Sequence, residues 1–212
     1  MIDILYHDKY VAVAVKPAGL LSEGEGKDSF PTLLADELSQ REGRTVRTYP
    51  VHRLDRDTEG IMVYALNSEA AARLSSDITE GRWQKIYTAR LWGVPAEPQG
   101  RLCDLLYYDR NRGKSFVVDR QRKGVKDAEL EYEITDVSPD RRISTAKIKL
   151  MTGRTHQIRV QFASRGLPLC GDRRYGAPAE SGKTLALCAS SLIFRHPKSG
   201  EQMEYTITPT FQ

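Results

Sequence analysis

Alternation of apolar and polar residues with a period of two is the commonest pattern along this chain, and it predicts β-strands. It is clearest over residues 83–92, 129–137 and 143–151 and weaker toward the end of the chain. Shorter apolar runs that end in turn-forming residues complete the set. The predicted strands are residues 2–6, 10–15, 60–66, 83–92, 129–137, 143–151, 185–194 and 202–208.

Three stretches instead repeat apolar residues at helical spacing, over residues 29–43, 67–81 and 154–166. Ser29 is a suitable N-cap for the first helix, and Gly43 and Gly166 are typical stops. Long strands, few helices and no regular strand–helix–strand alternation indicate an α+β fold with a mostly antiparallel sheet.

Length and composition favour one globular catalytic domain over residues 1–212. The chain has 212 residues, of which 40% are hydrophobic, and no Gly/Ser-rich or Pro-rich linker and no repeat divides it. Its apolar runs are far shorter than the roughly 18 residues of a membrane-spanning helix, so no membrane partner is expected. The N-terminus lacks the features of a secretory signal, which favours the cytoplasm.

The cysteines and histidines do not indicate a disulfide framework or a metal site. Cys103, Cys170 and Cys188 are odd in number and widely spaced, which is typical of incidental thiols. His52 and His156 are accompanied neither by a second histidine four residues away nor by a nearby cysteine pair, so we expect no bound metal.

Positive charge is concentrated in two segments, although the net charge of +4 is modest. The first basic segment (residues 110–126) contains Arg110, Arg112, Lys114, Arg120, Arg122, Lys123 and Lys126. The second basic segment (residues 154–174) contains Arg154, Arg159, Arg165, Arg173 and Arg174. Two interpretations stay open at this point: surfaces that bind the phosphates of a nucleic acid, or two solvated faces.

Residues 52–60 contain the densest group of chemically capable side chains, directly before an apolar strand. Asp55 is flanked by Arg53 and Arg56, and neighbouring positive charge would keep its carboxylate ionised, as a nucleophile or base requires. The alternative is a turn with surface ion pairs.

A second group, residues 153–159, lies where a strand meets a helix. Arg154 beside a helix N-terminus suits a phosphate or a carboxylate; alternatively, Arg154 and Arg159 cover the sheet with their aliphatic stems. Tyr87, on a predicted strand, could stack on a base or could simply belong to the core.

Five segments in order resemble the motifs of the RluA family of RNA pseudouridine synthases, over about residues 4–205. Residues 52–60 (HRLDRDTEG) resemble its HRLDxxTSG motif, residues 85–89 (KIYTA) its K-x-Y-x-A strand and residues 153–160 (GRTHQIRV) its GRTHQIRVH segment. Residues 166–176 (GLPLCGDRRYG) are similar to its GHPIVGDxxYG, and residues 15–20 (VKPAGL) to its KPAGL opening.

The resemblance implies isomerisation of uridine to pseudouridine in RNA, in which the C1′–N1 bond breaks and C1′ is rejoined to C5 without a cofactor. Asp55 matches the catalytic aspartate, Arg154 the arginine that pairs with it, and Tyr87 the tyrosine that packs on the target base. The implied fold is a mixed, mostly antiparallel sheet with a central catalytic cleft.

The implied partner is an rRNA or tRNA loop whose target nucleotide is flipped out of its stack. Arg53 matches the arginine that enters the vacated space. The first basic segment would contact the flanking phosphates, with an affinity that falls as salt rises. The residues predicted to contact RNA are Arg53, His52, Arg56, Arg159, Arg112 and Lys114.

Three departures from the family pattern bear on substrate preference rather than on the proposed catalytic groups. Glu59 stands where the family has Ser, and we expect it at a solvent-facing turn position. Gln161 and Leu167 each replace a His. No N-terminal S4 RNA-binding module is expected, since the family opening begins almost at Met1, and a monomer is the default.

Two other classes of protein remain as alternatives. One is a catalytically silent RNA-binding protein of the same fold, whose RNA binding would be indifferent to the loss of Asp55. The other is a glycoside hydrolase that uses Asp55 and Glu59 as its carboxylate pair, although the pair lies within one tight turn, whereas a sugar requires a separation of roughly 5 Å or more.

Overall fold

The computed structural model describes residues 2–211. Its strands are, in chain order, β1 (Ile4–His7), β2 (Val11–Lys16), β3 (Tyr49–Pro50), β4 (Glu59–Ala65), β5 (Gln84–Trp92), β6 (Gln99–Asp109), β7 (Lys114–Val118), β8 (Val125–Val137), β9 (Ile143–Leu150), β10 (Leu187–Arg195) and β11 (Gln202–Thr206). Its helices are α1 (Phe30–Glu42), α2 (Ser68–Thr79) and α3 (Gln157–Ala163), with short 3-10 helices at Arg173–Tyr175 and Ala179–Ser181.

The chain divides into two compact units. Unit 1 consists of the residues up to Lys85 together with Ala189–Thr210, so it is assembled from both ends of the sequence. Unit 2 consists of Ile86–Cys188 with Phe211. The prediction of a single catalytic domain stays a prediction.

Unit 1 is built around strands β1, β2, β4 and β10 in that order, with β3 beside β4 and β11 beside β10. Strands β2 and β4 are antiparallel with Val13 opposite Val63, so their apolar side chains share one face. Ala70 and Leu74 of α2 pack against this face, which brings the helix onto the sheet. The Asn67 side chain caps α2 by accepting the Ala70 N–H at 2.8 Å.

Unit 2 contains strands β5, β9, β8, β6 and β7 in that order, and each of these strands pairs antiparallel with the next. Helix α3 contributes Val160 to a small core with Leu106 of β6 and Ala128 of β8. Tyr175, in a 3-10 turn, closes the same core.

The predicted α+β fold with a mostly antiparallel sheet is confirmed. The third helix is shorter than the predicted 154–166, because His156 takes a left-handed backbone conformation with φ of 55° and α3 begins only after it. The sequence pattern did not reveal the β6–β7 hairpin. Among residues 2–211 the helices are too short and too polar for any of them to traverse a lipid bilayer.

Candidate active site

The loop that contains Asp55 lies in unit 1, and the backbone is fixed on both sides of this residue. The Ser22 hydroxyl donates to the Leu54 carbonyl at 2.8 Å and accepts the Leu54 N–H at 3.2 Å. On the other side, the Arg56 carbonyl accepts the Gly19 N–H at 2.8 Å. The half-buried Asp55 is therefore presented by neighbours that cannot easily shift.

A fully buried lysine, Lys16, joins this loop to the KPAGL segment. Its ammonium donates at 2.9, 2.8 and 3.0 Å to the carbonyl oxygens of Pro17, Leu20 and Arg56. Burial lowers the pKa of Lys16 to about 8, against the opposing effect of the carboxylates of Asp57, Asp55 and Glu59. Lys16 is thus mainly protonated at neutral pH, with three carbonyl partners that satisfy its charge.

The two arginines beside Asp55 lie at the surface, and their contact with RNA stays a prediction. The Arg53 side chain is 58% exposed and forms a 3.2 Å ion pair with Glu23. Arg56 is exposed as well, and its Nε donates to the Gly19 carbonyl at 2.8 Å. An exposed ion pair such as Arg53–Glu23 contributes little stability, so Arg53 can exchange that partner for a phosphate or base.

His52 was predicted to contact RNA, but its ring bonds inside unit 1. Its Nε2 accepts the Val63 N–H at 2.9 Å, and its ring meets Trp83 edge-on at 5.1 Å between centroids. Burial, and then the charge of Lys85, lower its pKa well below the ordinary value. The imidazole is therefore neutral near pH 7 and supports the start of the loop.

Glu59 was expected at a solvent-facing turn position, and this expectation is wrong. Its side chain is only 9% exposed, and each carboxylate oxygen accepts one bond from Thr210: Oε1 from the backbone N–H at 2.8 Å and Oε2 from the hydroxyl at 2.5 Å. Burial is tolerated because both oxygens are satisfied.

In unit 2, Tyr87 lies on β5 directly opposite Ile148 of β9. It is 7% exposed. Ala89, two residues further along β5, lies opposite Ala146 on the same face. The structure therefore places Tyr87 on the buried face of β5, and its stacking on a base stays a prediction.

Arg154 is fixed through both its backbone and its side chain. The buried Gln157 accepts the Arg154 N–H at 2.9 Å and the Thr152 hydroxyl at 2.8 Å with the same oxygen, while its amide donates to the Glu129 carbonyl at 3.0 Å. The Arg154 Nε donates to the Asp127 carbonyl at 2.8 Å. The guanidinium therefore has a defined direction before any ligand arrives.

Arg159 was predicted to contact RNA, but its guanidinium is buried against a carboxylate. Its Nε lies 2.6 Å from Asp172 Oδ2 and its Nη2 lies 2.9 Å from Oδ1, in a two-pronged pair. The Tyr175 ring lies 5.2 Å from the guanidinium carbon. Burial raises the pKa of Tyr175 to about 12, and its hydroxyl accepts the Ser115 N–H at 2.8 Å.

The other residues predicted to contact RNA, Arg112 and Lys114, lie where β6 turns into β7. The Arg112 side chain is 72% exposed, with Asp109 3.6 Å away. Lys114 is half-buried, with its Nζ 4.9 Å from the centre of the Tyr175 ring. The Arg112 charge is therefore at the surface of the hairpin, whereas the Lys114 charge is partly covered by Tyr175.

The sequence did not reveal the residues that brace these groups. Ser22 and Asp172 lie 32 and 13 residues from their partners, Leu54 and Arg159. Lys16 carried a usable signal, since a charged residue that ends an otherwise apolar strand requires internal acceptors. Of the two residues that stand where the family has a histidine, Gln161 is fully buried and donates to the Asp104 carboxylate at 2.7 Å.

Comparison with known proteins identifies the family of this chain. Residues 10–164 match the family model described as RNA pseudouridylate synthase, which is most of the chain. The chain belongs to the RNA pseudouridylate synthase family, and it is therefore an isomerase that acts on RNA. This confirms the expected reaction class.

Relatives match over almost the whole chain. The chain is 37% identical over 218 residues to the dual-specificity RNA pseudouridine synthase RluA of Escherichia coli K12, covering 98% of this chain and 93% of that protein. An uncharacterized RNA pseudouridine synthase of Aquifex aeolicus is 34% identical, with 97% and 69% covered. The fold matches human RNA pseudouridylate synthase domain containing 1, with a TM-score of 0.80 at 23% identity over 100% of this chain and 85% of that one.

Proposed function

We propose that this enzyme isomerises particular uridines in rRNA or tRNA, with Asp55 as the catalytic carboxylate. The observation that carries the proposal is the bracing of the Asp55 loop: Ser22 fixes the residue before it, and Lys16 fixes the residue after it. A carboxylate that acts on carbon gains from such preorganisation, because its geometry is set before the substrate binds.

The chemistry assigned to Asp55 balances without a cofactor. The C1′–N1 glycosidic bond of uridine breaks, C1′ bonds to C5 of the same base, the C5 proton leaves to solvent, and N1 takes up a proton in place of its bond to C1′. An ionised carboxylate serves this sequence either by attacking carbon and later leaving, or by stabilising a glycosyl cation. Both routes require Asp55 to be charged.

The remaining roles follow from the setting of each side chain. Arg53 is proposed to enter the space that the flipped nucleotide leaves, since it is exposed and weakly paired. Tyr87 is proposed to pack on the target base. Arg154 is proposed to take part in the same reaction through its guanidinium, whose direction is fixed by the bond to the Asp127 carbonyl. His52 and Arg159 are proposed to support the site from within their own units.

The test is release of tritium from transcripts of rRNA and tRNA whose uridines are labelled at C5. The Escherichia coli relative is named for dual specificity, so both RNA classes are assayed. The wild type is compared with Asp55→Asn, and Asp57→Asn is the matched control, because Asp57 is an exposed carboxylate on the same loop.

Release by the wild type and by Asp57→Asn, and none by Asp55→Asn, is the expected result. Full activity of Asp55→Asn would remove Asp55 from the mechanism. RNA binding without release from any transcript would favour the catalytically silent RNA-binding protein. Cytoplasmic location and a monomeric state remain predictions.

A further inference from the structure

The outer face of the β6–β7 hairpin carries two aromatic side chains side by side. Tyr107 lies directly opposite Phe116 in the antiparallel register, so both side chains project from one face of the hairpin. Their neighbours Leu106 and Val117 project from the opposite face and pack into the core with Val160. Alternation therefore leaves the two rings on the side of the hairpin away from α3, and both are half-buried.

Cations lie over both rings, so a base that stacks on a ring would share that surface with a positive charge. The Arg122 guanidinium carbon lies 5.0 Å from the centre of the Tyr107 ring. The Arg112 guanidinium carbon and the Lys114 Nζ lie 5.9 and 5.8 Å from the centre of the Phe116 ring. We refer to Tyr107, Phe116, Arg112, Lys114 and Arg122 as the aromatic face.

The charge around the aromatic face suits a polyanion. Residues 107–126 contain seven Lys and Arg against two Asp, a formal surplus of five in a chain whose net charge is +4. Two ion pairs in this segment are long and exposed: Arg112 to Asp109 at 3.6 Å and Arg120 to Asp119 at 3.9 Å. These carboxylates neutralise little of the surface charge.

Flat rings bordered by arginine and lysine are the combination that unpaired nucleotides bind, because bases stack on the rings while phosphates meet the cations. A duplex offers phosphates but keeps its base faces stacked inside. We propose that the aromatic face binds a single-stranded RNA segment beside the target uridine, with bases stacked on Tyr107 and on Phe116. This proposal rests on the proposed function and names the form of RNA bound.

The experiment separates stacking from charge. Binding of a stem-loop transcript that the wild type modifies is measured over a range of KCl concentrations for Tyr107→Leu, Phe116→Leu and Arg122→Gln. Tyr107→Phe keeps the ring and is the rescue variant. Lys147→Gln is the matched control, because Lys147 is an exposed cation on β9. Urea midpoints verify that each variant is folded.

We expect each leucine variant to weaken binding about tenfold, since stacking on one base is typically worth that much or more, and to leave the salt slope unchanged. Arg122→Gln should reduce the salt slope by about one. Tyr107→Phe and Lys147→Gln should bind like the wild type. Annealing a complementary strand to the loop should remove the difference between wild type and the leucine variants.

Wild-type affinity in the double variant Tyr107→Leu with Phe116→Leu overturns the proposal. So does an equal loss of affinity on single-stranded and fully paired RNA, which assigns the hairpin to phosphate contact alone. Competition by an acidic peptide but not by single-stranded RNA assigns the face to a protein partner and also overturns it. Absence of tritium release by the wild type would count instead against the proposed function.

Discussion

The two basic segments are alike in sequence but differ in how closely their positive side chains are paired. In the second, Arg159 is buried against Asp172, Arg165 bonds Asp104 at 2.9 Å, and the guanidinium groups of Arg173 and Arg174 donate to backbone carbonyls. In the first, the Arg112 and Arg120 side chains are 72% and 84% exposed with only long ion pairs. Both segments belong to unit 2, so the difference arises within one unit.

The difference teaches that the density of positive residues along a sequence does not measure the charge offered to a ligand. An arginine that is satisfied by a buried carboxylate adds order to the fold and almost no field outside it. An exposed arginine adds little to stability but attracts phosphate. Removing a buried ion pair of the second segment should therefore mainly lower stability, whereas removing an exposed cation of the first segment should mainly lower RNA affinity.

The largest effect is expected at Asp172. Asp172→Asn leaves the Arg159 guanidinium buried without a counter-charge, and breaking a buried pair in this way typically costs about 3–5 kcal/mol of unfolding free energy. Urea denaturation measures it. Asp109→Asn, at the end of β6 directly before the first basic segment, is the matched control and should cost less than about 1 kcal/mol, because its pair with Arg112 is exposed. Equal shifts at the two positions would contradict the distinction.

The next largest effect is expected at His52 of unit 1, whose basic side chain, like that of Arg159, bonds to other groups within its own unit. Burial holds its folded-state pKa well below 6.5, so below about pH 6.5 the unfolded chain binds a proton that the folded chain does not. Stability should therefore fall as pH falls, with a limiting slope of about 1.4 kcal/mol per pH unit.

Urea unfolding at several pH values checks this, with His52→Gln as the reference, since glutamine keeps an acceptor but does not titrate. The wild type should lose more stability on acidification than the variant. Parallel pH profiles would mean that His52 is protonated in the folded enzyme.

A smaller effect is expected at Arg165, whose pair with Asp104 is partly exposed. Arg165→Gln should lower the unfolding free energy by about 1 kcal/mol or less. A double-mutant cycle with Asp104→Asn isolates the interaction. A coupling as large as the Asp172 effect would show that exposure does not govern these pairs.

The smallest effect on stability is expected at Lys123, an exposed residue of the first basic segment. Lys123→Gln should change unfolding free energy by no more than about 0.5 kcal/mol. The affinity of the Lys123→Gln variant for RNA should nevertheless fall, and the slope of log affinity against log salt concentration should be smaller by about one. An unchanged slope would place Lys123 outside the RNA-binding surface.

Sequence patterns correctly predicted the helices and strands that depend on residues close together in the chain. The Asn67 cap of α2 and the alternation in β5 and β9 needed only neighbouring residues, and their bounds came out within a few positions. The β6–β7 hairpin was missed because Asp104 stands between the buried Leu102 and Leu106 on one face of β6. Leu105 and Tyr107 place apolar residues on the other face, so apolar and polar positions do not alternate cleanly.

The residues of the candidate site also fall into a group that could be predicted from the sequence and a group that could not. Asp55, Tyr87 and Arg154 could be named because each lies in a short motif. Their supports could not, because each bond joins distant parts of the chain: Ser22 to Leu54 across 32 residues and Glu59 to Thr210 across 151. For the same reason the sequence could not distinguish a buried Arg159 from an exposed one.

The discontinuity of unit 1 sets an order of events during protein synthesis. Strand β4, which follows the Asp55 loop, lies beside β10, and β10 ends at Arg195, about 110 residues after Lys85, where the first stretch of unit 1 ends. At about 5–20 residues per second, the ribosome needs roughly 6–22 seconds to supply them. Unit 2, which is almost continuous, can fold within that interval, while the apolar edge of β4 waits uncovered and is available to a chaperone.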